Sequence, residues 1–267
     1  KAGLKVMLYA NGIEPINKYI NKKLTGNIMN HVDIITLREQ ASKTELQKLC
    51  INRPQIIVTA DPAFILEPCK NSEIERIFDE EGIAAEGPFI GFSVRKWDGY
   101  KTYVDVIAQA ADYVAKKFGA KPIFIPMQYP NDLIITKSIV SKMECKGYIL
   151  QNKYDVSQVL GITSRLDMLI GMRLHALIFA VSLCVPVVGL VYQPKVAWLL
   201  DYIDQACASA GDVKSLDLDN FKKVIDYTWE NRASIKQHFE VVTANLKDKS
   251  IENAQIAVSI LESDKHL

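Results

Sequence analysis

Hydrophobic and polar positions along this chain fall into short blocks that switch repeatedly between two periods. Brief aliphatic runs at residues 6–10, 33–37 and 56–59 read as buried strands. The segments between them place apolar residues every three or four positions and predict helices over residues 16–29 and 42–49, the second with Ser42 as N-cap and Glu45 at the capping-box position. A charged helix follows over residues 72–81, closed by Gly82. A second series opens at Gly87-Pro88, with strands expected at 89–94, 122–126, 148–150, 168–170 and 187–191. Helices at 103–118, 132–143, 156–164 and 173–184 separate them. Beyond Tyr192 the pattern turns helical, with a helix capped by Asp217 or Asp219 and running to Asn231, then two more over 234–247 and 251–262.

Strict alternation of strand and helix predicts an α/β fold with parallel sheets, arranged as two Rossmann-like doubly wound domains. Residues 1–68 are expected to be the remainder of a first domain, 69–86 a linking helix, and 87–267 a second domain with its terminal helices. Three strands make a small sheet for a free-standing domain, and the chain opens as Lys-Ala-Gly-Leu directly into the first of them. The expectation is therefore a first domain that is truncated.

Composition narrows the partners. Lys plus Arg number 32 against 31 for Asp plus Glu, so no overall field favours nucleic acid, and any anion must be held by a local cluster. The five cysteines are scattered without a C-x-x-C pair, which fits buried thiols in a reducing compartment. The longest apolar run, residues 176–191, is broken by Pro186 and is shorter than the ~20 residues that span a bilayer. These features predict a cytoplasmic protein without a transmembrane segment. Four histidines lack H-x-H or H-E-x-x-H spacing, so no metal site is expected, and His31, His238 and His266 receive no role.

The segment richest in chemistry is Asp167-Met-Leu-Ile-Gly-Met-Arg173-Leu174-His175-Ala-Leu-Ile-Phe-Ala. It reads as strand, glycine turn and helix, and ligands of open α/β sheets sit beyond the C-terminal strand ends. Arg173 and His175 fall in the first turn of the helix, where free backbone N–H groups attract anions. Leu174, Leu177, Ile178 and Val181 form the stripe that anchors it. The plain structural alternative pairs Arg173 with a carboxylate such as Asp167 and leaves His175 an interior histidine.

The string Gly-Met-Arg-Leu-His-Ala-Leu-Ile-Phe-Ala resembles the signature of the polysaccharide pyruvyl transferase family, in particular the branch that modifies cell-wall polymers for surface-layer (S-layer) anchoring. Further similarity runs through Val32-Asp-Ile-Ile-Thr-Leu-Arg38-Glu39 with Ser42, Thr59-Ala-Asp61-Pro-Ala, Ser93-Val-Arg95, Phe124-Ile-Pro-Met-Gln128 and Tyr192-Gln-Pro-Lys195. Family members carry a Gly-rich strand–turn–helix upstream that is absent here.

This resemblance implies phosphoenolpyruvate as co-substrate with no further cofactor, and a lipid-linked or polymeric sugar as acceptor, met at the inner face of the plasma membrane. A donor bearing both carboxylate and phosphate needs at least two cations, and arginine binds either group with its planar fork. Arg173, with backbone N–H groups around Leu174, and Arg95 are expected to bind the anion, with Lys195 a further candidate. His175 is expected to move protons. Asp61 is a candidate base for a sugar hydroxyl, against a turn-forming role before Pro62. Arg38 and Glu39 read as a structural ion pair. Two Rossmann-like domains also describe GT-B nucleotide-sugar glycosyltransferases, but no Glu occurs between Glu144 and Glu230 to hold a nucleotide ribose. A non-catalytic carbohydrate-binding protein is the third class.

Overall fold

The computed structural model describes residues 4–84, 86–97 and 100–263. The chain divides into two compact units, Lys1–Ile65 with Val242–Leu267, and Leu66–Val241. The first holds β1 (Met7–Asn11), α1 (Tyr19–Met29), β2 (Ile34–Leu37), α2 (Gln40–Lys48) and β3 (Gln55–Val58). Its three strands are parallel, in the order β1-β2-β3. Met29, Ile35, Leu37, Leu46 and Ile51 form the core beneath them.

One helix start differs from expectation. The N-cap of α2 is Glu39, three residues before Ser42. The Ser42 hydroxyl donates to the Glu39 carboxylate and accepts the backbone N–H of Ile13 at 2.7 Å. Its oxygen thus fastens the segment after β1 and does not cap the helix, and Glu45 pairs with Lys48 instead of closing a capping box.

The second unit contains α3 (Asn71–Glu80), β4 (Phe89–Ser93), α4 (Tyr100–Phe118), β5 (Lys121–Phe124), α5 (Asn131–Val140), β6 (Tyr148–Ile149), α6 (Val156–Thr163), β7 (Met168–Gly171), α7 (Leu174–Ser182), β8 (Val187–Val191), α8 (Pro194–Tyr202), β9 (Ser209–Asp212) and α9 (Leu218–Glu230). The last helix, α10 (Arg232–Ser263), begins in this unit and ends in the first. The six strands are parallel in the order β6-β5-β4-β7-β8-β9. Numbered within the unit, that is the 3-2-1-4-5-6 order of a Rossmann sheet, whose direction of winding reverses between its first and fourth strands. Here those strands are β4 and β7.

Helices cover both faces, so the central strands are apolar throughout. Ile90, Phe92, Phe124, Ile170 and Val188 are inaccessible to solvent, and Phe92 stacks on Phe124 with centroids 5.1 Å apart. Gly91 leaves room for Leu166 and Leu169, since a Cβ there would lie 2.4 Å from Leu166 Cδ1. At the end of α3, Gly82 adopts a φ of 61°, the left-handed conformation that terminates a helix without a Cβ penalty.

Three expectations are corrected. The segment 69–86 groups with the second unit: Cys69 N–H donates to the Ser157 carbonyl at 2.9 Å, and Gln158 donates to Glu73 at 2.7 Å. Residues 234–262 form one helix, not two, because Ser250 and Asn253 are completely buried and bond to the first unit's strand end. Asn253 donates to the Ala60 carbonyl at 3.0 Å and accepts from the Thr59 hydroxyl at 2.8 Å, while Ser250 donates to the Asp61 carbonyl at 2.8 Å. The block 87–267 is accordingly split at Val242. The cap of α9 is Asp217, which accepts from Asn220 N–H at 2.7 Å, and β9 is a strand the pattern did not predict.

Candidate functional site

Adjacent strands β4 and β7 run in register, with Ser93 beside Gly171, and Met172 N–H donates to the Ser93 carbonyl at 2.8 Å. Arg95 follows β4 by two residues and Arg173 follows β7 by two. Both therefore leave the sheet at its C-terminal edge, at the point where the winding reverses and open α/β sheets hold their ligands. Tyr192 and Lys195 follow the next strand, β8, at the same edge.

Arg173 is the N-cap residue of α7, and its side chain is committed. Nε donates to Asp132 Oδ2 at 2.9 Å, and Nη2 donates to Asp132 Oδ1 and to Gln128 Oε1, the latter at 2.9 Å. Asp132, in the first turn of α5, is only 1 % exposed and also accepts from Gln128 N–H at 2.9 Å. Strand β4 lies between β5 and β7, so this fork spans the C-terminal end of β4. The carboxylate that pairs with Arg173 is thus Asp132. Asp167 sits at the opposite end of the sheet and accepts the N–H of Phe89 at 2.8 Å. With Nε and Nη2 occupied, Nη1 is the part of Arg173 available to a ligand.

Arg95 is held differently. Its guanidinium carbon lies 5.0 Å from the Tyr192 ring centroid and 5.5 Å from that of Trp97, and the two rings meet edge to face at 5.1 Å. Nη1 approaches the Tyr192 hydroxyl at 3.4 Å. Cation–π contact steadies a guanidinium without neutralising it, and among the described residues no carboxylate pairs with Arg95. The loop carrying it is pinned by Tyr103, whose hydroxyl donates to the Arg95 carbonyl at 2.6 Å and accepts the Trp97 N–H at 3.0 Å. Lys195 Nζ lies 5.5 Å from the Tyr192 centroid, which adds a second cation to the same ring.

His175 stands in the first turn of α7 with its side chain exposed, its ring 6.4 Å from that of Phe179. Leu174, Leu177, Ile178 and Val181 are buried and hold the helix as expected. No side chain caps α7, so the N–H groups of its first turn, Leu174 included, have no side-chain acceptor. Asp61 belongs to the first unit. It is 7 % exposed; Oδ2 accepts from Arg38 Nη1 at 2.9 Å and Oδ1 from Ala63 N–H at 3.0 Å. The Ala63 contact is the turn geometry weighed against its role as a base, and the ion pair with Arg38 is one the sequence reading assigned to Glu39 alone. Arg38 also bonds Glu39 at 3.0 Å. His31 and His238 each donate a ring N–H to a backbone carbonyl, of Asn27 at 2.6 Å and of Ile203 at 3.0 Å, and His266 lies outside the described residues.

The sequence model of the polysaccharide pyruvyl transferase family matches residues 1–194, a span that includes Arg95, Asp132, Arg173, His175 and Tyr192 but not Lys195. The chain belongs to that family. No curated protein matches it in sequence. Among solved structures it resembles the UDP-GlcNAc 2-epimerase from Neisseria meningitidis bound to UDP-GlcNAc, with a TM-score of 0.65 at 12% identity over 96% of this chain and 70% of the other. The S. aureus MnaA–UDP co-structure gives 0.65 at 11% over 97% and 71%. A glycosyltransferase from Rickettsia africae ESF-5 gives 0.60 at 15% over 94% and 69%. At such identities the likeness is one of fold, the GT-B class built from Rossmann-like units.

In this polysaccharide pyruvyl transferase family member, sequence reasoning missed Asp132, Tyr103, Trp97 and Gln193. Arg95 Nε, Trp97 Nε1 and Gln193 Oε1 are buried without a hydrogen-bond partner among the described residues. Each such group costs about 1–3 kcal/mol when left unpaired. Two cavities lie elsewhere. One of about 360 Å³ is lined by Ile74, Phe78, Phe89 and Arg165, and one of about 270 Å³ by Ser164, Asp167, Pro186 and Arg232. Both are lined by residues at the N-terminal strand ends, away from Arg95 and Arg173. Among the described residues no group of His, Cys, Asp or Glu is arranged to hold a metal ion, and no helix is long and apolar enough to cross a membrane.

Proposed function

We propose that this protein transfers the pyruvyl group of phosphoenolpyruvate onto two hydroxyls of a hexose as a 4,6-ketal, releasing phosphate. The observation that carries this reading is Arg95: a half-buried guanidinium, fixed between two aromatic rings and opposed by no carboxylate among the described residues, at the strand edge beside the uncapped start of α7. A cation placed in this way invites an anionic ligand. Lys195 and the Nη1 edge of Arg173 supply further donors, and the N–H groups around Leu174 complete the anion site.

In the reaction two sugar oxygens bond to C2 of the enolpyruvyl group, the C2–O bond to phosphorus breaks, and the methylene carbon takes up a proton. The two hydroxyl protons go to that carbon and to the departing phosphate. His175, exposed at the helix start, is the group that moves a proton between them. Asp61, with both oxygens engaged, would have to release Arg38 to act as a base. The resemblance to the wall-polymer branch supports a lipid-linked wall-polymer precursor as acceptor, with the protein meeting it at the inner face of the plasma membrane.

The test is calorimetric titration with phosphoenolpyruvate and, separately, with UDP-sugars, followed by phosphate release with hexose acceptors. Saturable phosphoenolpyruvate binding and acceptor-dependent phosphate release are expected. Binding of a UDP-sugar in their place would make the protein a glycosyltransferase. His175→Gln should lower kcat about 10²–10⁴-fold while leaving the melting temperature unchanged, since the side chain is exposed. A lower melting temperature with near-normal turnover would remove His175 from the reaction.

A further inference from the structure

The pairing of Arg173 with Asp132 leaves two donors over. Nε and Nη2 of Arg173 are taken by Asp132 and Gln128, and no bond engages Nη1 among the described residues. A guanidinium only donates, so Gln128 must turn its amide oxygen to Arg173, and the 2.9 Å bond to Nη2 fixes that end. The amide nitrogen Nε2 shares a carbon with that oxygen, carries two N–H groups and has no acceptor among the described residues. The Gln128 side chain is exposed, so a ligand can reach it. Gln128 follows β5 by four residues and Arg173 follows β7 by two. The two residues therefore flank β4, the strand whose C-terminal end leads to Arg95.

Charge distinguishes these donors from Arg95. The Asp132 carboxylate, 1 % exposed, cancels the charge of Arg173, so Arg173 Nη1 and Gln128 Nε2 offer hydrogen bonds without net charge. Arg95 keeps its charge. A phosphate monoester carries about −1.5 to −2 near neutral pH, whereas a carboxylate carries a single negative charge. The more highly charged group is held best where positive charge remains, and the less charged group by the neutral set of donors. We propose that Gln128 Nε2 and Arg173 Nη1 bind the carboxylate of phosphoenolpyruvate, and that its phosphate falls to Arg95. A carboxylate has two oxygens and accepts from two neighbouring N–H donors at once. This deepens the pyruvyl-transfer reading and rests on it. It makes Gln128 a binding residue in its own right, beyond its support of Arg173.

The experiment is calorimetric titration of the full chain with phosphoglycolate, which carries both groups, and with ethyl phosphate, which lacks the carboxylate, with phosphoenolpyruvate titrated in parallel. The unaltered protein should prefer phosphoglycolate. Gln128→Leu should reduce that preference about tenfold, the weight of one charge-assisted hydrogen bond. Gln128→Glu keeps an oxygen for Arg173 and puts an acceptor where the donor was, so it should reduce the preference at least as far. Arg95→Ala should weaken both ligands alike. Full preference regained in Gln128→Glu would mean that Gln128 only supports Arg173. Equal weakening of both ligands by Gln128→Leu would put the phosphate there instead, and an unchanged preference would remove Gln128 from the site. In those three cases phosphoenolpyruvate still binds, so the assignment fails and the transfer reading stands. A protein that binds neither phosphoenolpyruvate nor phosphoglycolate would overturn both.

Discussion

The turns after β4 and β7 occupy equivalent places on neighbouring parallel strands, and each presents an arginine two residues past the strand end. What surrounds the two side chains is opposite. Arg173 meets a carboxylate that is 1 % exposed and gives it both prongs of its fork. Arg95 meets two aromatic rings, one of them the phenol of Tyr192, which orient it and leave its charge uncancelled. The first arrangement ties the turn after β7 to α5, and the second leaves the charge to which we assign the anion. Position in the fold brings both to the site, and the partner decides which of them is structural.

Substitutions can break that contrast. Arg173→Ala should have the largest effect, because it leaves Asp132 charged and buried without its partner, a loss of about 3–5 kcal/mol. Urea unfolding would measure it, and Arg173→Ala combined with Asp132→Ala should regain a large part. A single variant as stable as the parent would mean the pair is solvated and Arg173 is free for ligand. Arg95→Ala should cost little stability but lower phosphoenolpyruvate affinity about tenfold to a hundredfold, the equivalent of about 1.5–3 kcal/mol of charge-assisted hydrogen bonding. Calorimetry decides it, and unchanged affinity would move the anion elsewhere. Tyr103→Phe sharpens the contrast with the smallest effect: the hydroxyl that pins Arg95 and Trp97 is lost, and affinity should fall severalfold, by about 1 kcal/mol. Loss as large as in Arg95→Ala would show that the loop collapses without its pin.

Much of the second unit was legible because its signals are local. The stripe Leu174, Leu177, Ile178 and Val181 sets the face of α7, and the aliphatic runs set the strands. What escaped depends on partners distant in sequence. Asp132 and Arg173 are 41 residues apart, so nothing near either announces the pair. A break was expected at residues 248–250, yet Ser250, like Asn253 one turn on, is interior and satisfied by residues some 190 positions earlier. Ser209-Ala-Gly-Asp212 has no apolar run, and it becomes a strand by pairing along the open edge of β8. Trp97 stood two residues from a candidate arginine, but an aromatic residue at a strand end does not reveal in sequence that its indole nitrogen is unpaired.

The fastening of Thr59, Ala60 and Asp61 by Ser250 and Asn253 has a consequence for the order of events during synthesis. Domains generally fold as the chain emerges, the N-terminal one first. Here every residue of the second unit has left the ribosome before Asn253 does, whereas Thr59 waits through the 194 positions that separate it from that partner. The core of the first unit can assemble early from residues between Leu8 and Ile56, but its last strand end stays unsecured until Ser250 and Asn253 have emerged. The unit that starts first is the one that finishes last.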